Sequence, residues 1–71
     1  MACVNPDGTM TPSAISILTA LRSADAAELI APATGLPIFR VRSALRELVA
    51  AGLVEVADGH HKLTDAGLAR L

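Results

Sequence analysis

Three of the six basic residues of this 71-residue chain, Arg40, Arg42 and Arg46, fall within a short run that contains no acid. A guanidinium can hold a phosphate oxygen or bridge the two acceptors on the edge of a guanine, and the hydroxyl of Ser43 can bond to base or backbone. At roughly 100° per residue, a helix through this run groups Phe39, Arg42, Ser43, Arg46 and Ala50 on one side, with Arg40 at its margin. The same spacing also describes two solvated arginines on an ordinary surface helix. Phe39, the only aromatic residue, has three uses open to it: contact with a thymine methyl group, anchorage of a protein partner, or local packing against a neighbouring loop.

A second basic group, His60, His61 and Lys62, follows the pair Asp58-Gly59. Adjacent histidines invite a metal reading. Neighbours on a strand point to opposite faces, however, and no second Cys/His cluster exists to complete a coordination sphere, so no metal site is expected. Cys3 cannot form an internal disulfide because it is the only cysteine, and in the leader expected at residues 1–10 it reads as an inert thiol. Serine, histidine and aspartate all occur, but nothing arranges them as a nucleophile set. No catalytic function and no cofactor are expected.

The elements that must position these residues are short. A chain of this size buries only roughly 60% of the surface its unfolded form exposes, so one economical domain is expected. Hydrophobic residues make up 52% of the chain, chiefly small and branched aliphatics, and charged residues 18%. That balance excludes the polar, highly charged composition of disordered chains. A formal net charge of −1 also removes the simplest case for nucleic-acid binding, a strongly basic domain, and leaves any such case to local charge. No signal-peptide run or apolar stretch of about 20 residues occurs, and a soluble cytoplasmic protein with no membrane partner is expected.

Residues 1–10, with the turn-forming Asn5-Pro6-Asp7-Gly8, are expected to be a flexible leader, and the domain to occupy 11–71. Thr11-Pro12 is an N-cap followed by proline at the first helical position, opening a helix to about Arg22 with Ala14, Ile17, Leu18 and Leu21 on one stripe. Asp25 and Glu28 have the spacing of a cap for a second helix, Ala26 to Thr34, which Pro32 should bend or end early. Gly35 permits a sharp turn, with Leu36 beneath it. The third helix, Pro37 to Ala51, carries Ile38, Val41, Leu45 and Leu48 as a core stripe with Ala44 beside it, and Gly52 ends it. Val54 to Leu63 forms a hairpin about Asp58-Gly59. Thr64 caps a last helix, Asp65 to Leu71, whose Leu68 and Leu71 should cover the core.

Two helices across a glycine turn, a longer helix and a hairpin form the order of a winged helix-turn-helix. The run Ala26-Ala27-Glu28-Leu29-Ile30-Ala31-Pro32-Ala33-Thr34-Gly35-Leu36-Pro37, continued by Val41, Ala44-Leu45, Leu48 and Gly52-Leu53-Val54-Glu55, resembles the DNA-binding domains of MarR, PadR and ArsR type transcriptional regulators. Leu63-Thr64-Asp65-Ala66-Gly67 resembles the wing exit of the MarR and PadR groups. The resemblance covers about residues 13 to 71. It implies an α+β, mainly α fold: a three-helix core, a two-stranded wing and a short C-terminal helix. It further implies that helix 37–51 enters the major groove of double-stranded DNA through Phe39, Arg40, Arg42, Ser43 and Arg46. The wing, 54–63, would then meet the backbone through His60, His61 and Lys62. The long dimerisation helix of those families is missing from the sequence, so a homodimer would pair through another surface and a monomer is the other expectation. A reading of a different class remains: a winged helix that binds a protein through Phe39 and an alanine-rich surface, without DNA.

Overall fold

A computed structural model of the protein describes residues 10–71. The element order is α1 (Pro12–Ala20), α2 (Ala27–Thr34), α3 (Ile38–Ala50), β1 (Val54–Ala57), β2 (His60–Leu63) and α4 (Asp65–Leu68). The expected leader, with Cys3 and the Asn5-Pro6-Asp7-Gly8 turn, lies outside the described residues except for Met10, which packs partly buried against the core.

The three longer helices form because each presents an aliphatic stripe that the other two cover. Ala14, Ile17 and Leu18 of α1, Ile30 of α2, and Val41, Ala44, Leu45 and Leu48 of α3 are buried together with Leu21, Ala27, Leu53 and Val54. No polar or charged residue is buried among the described residues. Thr11 caps α1 as its sequence predicts, its hydroxyl oxygen accepting the Ala14 N–H at 3.2 Å, while α1 stops at Ala20 and Leu21 becomes its C-cap.

Helix α2 ends at Thr34 as expected, but departs from expectation at its cap and at Pro32. Its N-cap is Ala26, with no side-chain bond, because Asp25 is turned towards the hairpin. Pro32 does not end the helix, which continues to Thr34. The proline removes one bond to a carbonyl on the exposed first turn, where water can replace it. The last turn is held by the Thr34 hydroxyl, which donates to the Ile30 carbonyl at 2.9 Å. Gly35 then takes φ 74°, a left-handed conformation that frees the chain to reverse into α3. Leu36 sits partly buried against the core beneath this turn.

Helix α3 keeps its predicted inner stripe except at Ile38, which is 37% exposed. Side chains lean towards the N-terminus of their helix, so the first helical residue leans off the packed region rather than into it.

The hairpin pairs antiparallel in the register Val54 with Leu63, Glu55 with Lys62, Val56 with His61 and Ala57 with His60. Asp58 and Gly59 both have positive φ, 52° and 77°, the geometry of a tight hairpin turn whose twist matches that of the strands. The resulting architecture is α+β and mainly α: a three-helix core, a two-stranded wing and a short last helix, the winged helix-turn-helix layout.

Leu68 and Leu71 were expected to cover the core, but they are 49% and 44% exposed. The residue buried in α4 is instead Gly67, whose α-carbon lies so close to the Leu53 backbone that a Cβ would overlap the Leu53 carbonyl oxygen. A backbone approach of that kind leaves the flanking side chains pointing outwards. Thr64 secures it: its hydroxyl donates to the Gly52 carbonyl at 2.8 Å and accepts the Gly67 N–H at 3.1 Å. Gly67→Ala should therefore lower stability by about 1–3 kcal/mol, the usual cost of overpacking, measured by urea denaturation. Leu68→Ser should leave the midpoint almost unchanged.

Candidate nucleic-acid interface

The outer face of α3 exists because its inner face is buried. With Val41, Ala44, Leu45 and Leu48 turned to the core, helical geometry sends Phe39, Arg40, Arg42, Ser43, Arg46 and Ala50 to solvent, and all six are exposed. Phe39 is 70% exposed, which removes the expectation that it packs against a neighbouring loop. Its ring is held out on the first turn of the helix.

The arginines are less alone than their run in the sequence implies. The Arg42 guanidinium lies 3.2 Å from a carboxylate oxygen of Glu28, with side-chain exposures of 56% and 64%. Arg46 donates to the Ser43 hydroxyl at 3.3 Å. The Glu28 carboxyl is held below the usual carboxylate range, first by a hydrogen bond from its own backbone N–H and then by the Arg42 side chain. That N–H belongs to the first turn of α2, where amides have no partner within the helix. Glu28 thus answers one free amide, its own, in the turn that Asp25 was expected to cap.

A cleft of about 280 Å³ runs between the start of α2, the middle of α3 and the wing turn, lined in part by Glu28, Arg42, Arg46, Gly59 and His61. The packing of α2 on α3 and of the wing on the helical body thereby brings Arg42 and Arg46 of the first basic group and His61 of the second to one concavity. The rest of the second group lies outside it, His60 and Lys62 lining a hollow beside Arg22 and Asp25. His61 is half-buried, and its backbone N–H donates to the Asp25 carbonyl at 2.7 Å. Its Nδ1 is buried with no hydrogen-bond partner among the described residues. His60 is exposed and turns its Nδ1 to the Asp25 carboxylate at 2.8 Å, and Lys62 is exposed opposite Glu55. Asp25 therefore ties the wing to the body through both its backbone and its side chain.

A second pocket, about 210 Å³, opens at the other margin of α3, between its first half and the start of α1. Its lining includes Phe39, Arg40, Ser43 and Glu47. Sequence reasoning found Phe39, Arg40 and Ser43 but missed Glu47, which sits one further turn along the same margin, and Glu28, whose proximity to Arg42 spans fourteen positions. The spacing of Glu47 from Ser43 was a usable signal; nothing local in the sequence marked Glu28.

No group of three or more metal-ligating side chains occurs among the described residues, and no helix among them is long and apolar enough to cross a membrane. No protein-family model matches the chain, and no curated protein matches it.

The lowered Glu28 titration has a definite sign. A carboxyl that releases its proton more readily in the folded state adds stability above its ordinary titration range and loses it as pH falls through the lowered folded value. An NMR pH titration should place Glu28 below an unperturbed glutamate. Arg42→Ala should move it part of the way back, because the bond from its own N–H remains.

Proposed function

We propose that this protein binds double-stranded DNA as a cytoplasmic transcriptional regulator, with α3 in the major groove and the wing against the backbone. The observation that carries this reading is the shared cleft: Arg42 and Arg46 of α3 line the same concavity as Gly59 and His61 of the wing turn. One duplex surface can therefore meet both elements at once, as winged domains require. Arg40, Arg42, Ser43 and Arg46 supply donors that fit phosphate oxygens and the guanine edge.

A net charge of −1 gives the whole molecule little long-range attraction for DNA, so affinity rests on the local field of the arginine face and falls steeply with salt. The Arg42–Glu28 pair does not prevent this. Both groups are well exposed, their attraction is screened by water, and a phosphate can replace the carboxylate as the partner of Arg42. Glu28 instead tunes the face, repelling phosphates that approach α2 out of register with Arg42.

A second reading, a winged helix that binds a protein and not DNA, is favoured by the same ion pair, which neutralises part of the basic face, and by the exposure of Phe39 and Leu29. NMR shift mapping with nonspecific duplex DNA separates the two. Shifts on α3 and the wing favour DNA, and their absence favours the protein partner.

Binding of a labelled duplex, followed by fluorescence anisotropy across a salt series, should give a linear fall of log affinity with log salt. Arg42→Ala and Arg46→Ala should each weaken binding and reduce that slope by about 1. Binding that stays at background in low salt and is indifferent to both substitutions would sink the proposal.

A further inference from the structure

Phe39 is the chain's only aromatic residue, and the fold does not use it in the core: the ring is 70% exposed. An apolar side chain of that size gains free energy from any apolar group that takes the place of water on it. Its position is the second residue of α3, on the same side of the helix as Arg42, Ser43 and Arg46, which follow it at offsets of three, four and seven. The ring also borders an open hollow of about 210 Å³ towards Thr11 and Ser13 at the start of α1, so space for an incoming group lies beside it.

A recognition helix sets its N-terminal residues against the edges of bases. In a paired and stacked duplex the faces of the bases are covered, and the major groove shows edges alone. Those edges carry hydrogen-bond donors and acceptors, together with one apolar group, the methyl on C5 of thymine. A phenyl ring cannot bond to the polar groups, and a polar edge pressed against it loses water without gaining a partner. The 5-methyl group gains from the contact because both surfaces are apolar. Arg42 and Arg46 are engaged with Glu28 and Ser43, but a guanidinium has more N–H donors than those bonds use. The ring therefore adds an apolar contact to a face whose other groups address phosphates and polar edges.

We propose that Phe39 reads the 5-methyl group of a pyrimidine in the major groove, and so sets a preference for thymine, or for 5-methylcytosine, at one position of the bound site. The proposal rests on the DNA-binding reading and adds to it the residue and the chemical group that decide part of the sequence preference. Methyl reading is recognition alone, with no bond made or broken.

The test uses the intact protein and a duplex that it enriches from a random pool, resynthesised with deoxyuridine in place of each thymine in turn. Deoxyuridine keeps every hydrogen-bonding group and charge of thymidine and lacks only the methyl. At one position the exchange should weaken binding about fourfold, the worth of one buried methyl group, read by fluorescence anisotropy. Cytosine placed there should gain about the same factor when methylated on C5. Phe39→Ala, made at an exposed position outside the core, should bind the thymine and uracil duplexes equally. Arg46→Ala should weaken both and preserve their ratio.

Binding that enriches no sequence, indifference to uracil at every position, or no gain from methylation overturns the methyl contact and leaves duplex binding intact. A thymine preference that survives Phe39→Ala does the same, because it then belongs to the shape of the DNA and not to the ring. A pool that yields no bound duplex in low salt overturns the DNA-binding reading, and the methyl contact with it.

Discussion

The structure depends on the burial of one helix stripe. Val41, Leu45 and Leu48 of α3 are withdrawn from water almost completely, against Ile17 and Leu18 of α1 and Ile30 of α2. Full burial of an aliphatic side chain contributes about 1.5–3 kcal/mol, and a small domain has few such side chains to spend. Because the core holds no aromatic and no buried polar group among the described residues, specificity comes from shape and spacing alone. Once that stripe faces inward, the direction of every other α3 side chain follows from the helical repeat, and the arginine face is an obligatory consequence.

Backbone and side-chain hydrogen bonds then place the wing against this face. The Asp25 carbonyl receives the His61 N–H, the Asp25 carboxylate receives His60, and Thr64 joins Gly52 to Gly67. The Thr64 bonds lie at the base of the hairpin and the Asp25 bonds on the strand just after its turn. They orient it without occupying its turn, so Asp58 and Gly59 remain at the surface beside the cleft that holds Arg42 and Arg46. Gly67 has the same function at the exit, where only a residue without a side chain lets α4 close on the Leu53 backbone.

Electrostatics is where distant parts of the chain modify one another. Arg40, Arg42 and Arg46 form a basic run without an acid, yet α2 brings Glu28 to Arg42 and the α3 margin brings Glu47 to the pocket beside Phe39. The face is therefore neither uniformly positive nor masked. It alternates donors and acceptors, and such a pattern favours selective contacts over general attraction to polyanions.

Periodicity and turn chemistry by themselves determined the elements: the aliphatic stripes of α1 and α3, the Gly35 reversal, the Asp58-Gly59 hairpin, and the Thr11 and Thr64 caps are all local, and each is legible within a few residues. The outward face of α3 was equally legible, because the helical repeat assigns it once the inner stripe is known. Tertiary structure alone decided what lies at the ends and between elements. Ile38, Leu68 and Leu71 belong to apolar patterns yet stay exposed, since the pattern tells which way a side chain points and not whether another element reaches that far. Asp25 left its helix for the wing, Glu28 met Arg42, and Phe39 came to border a pocket with α1. Each of these depends on how separate segments dock, which is set by the packing of the whole core and has no local signature.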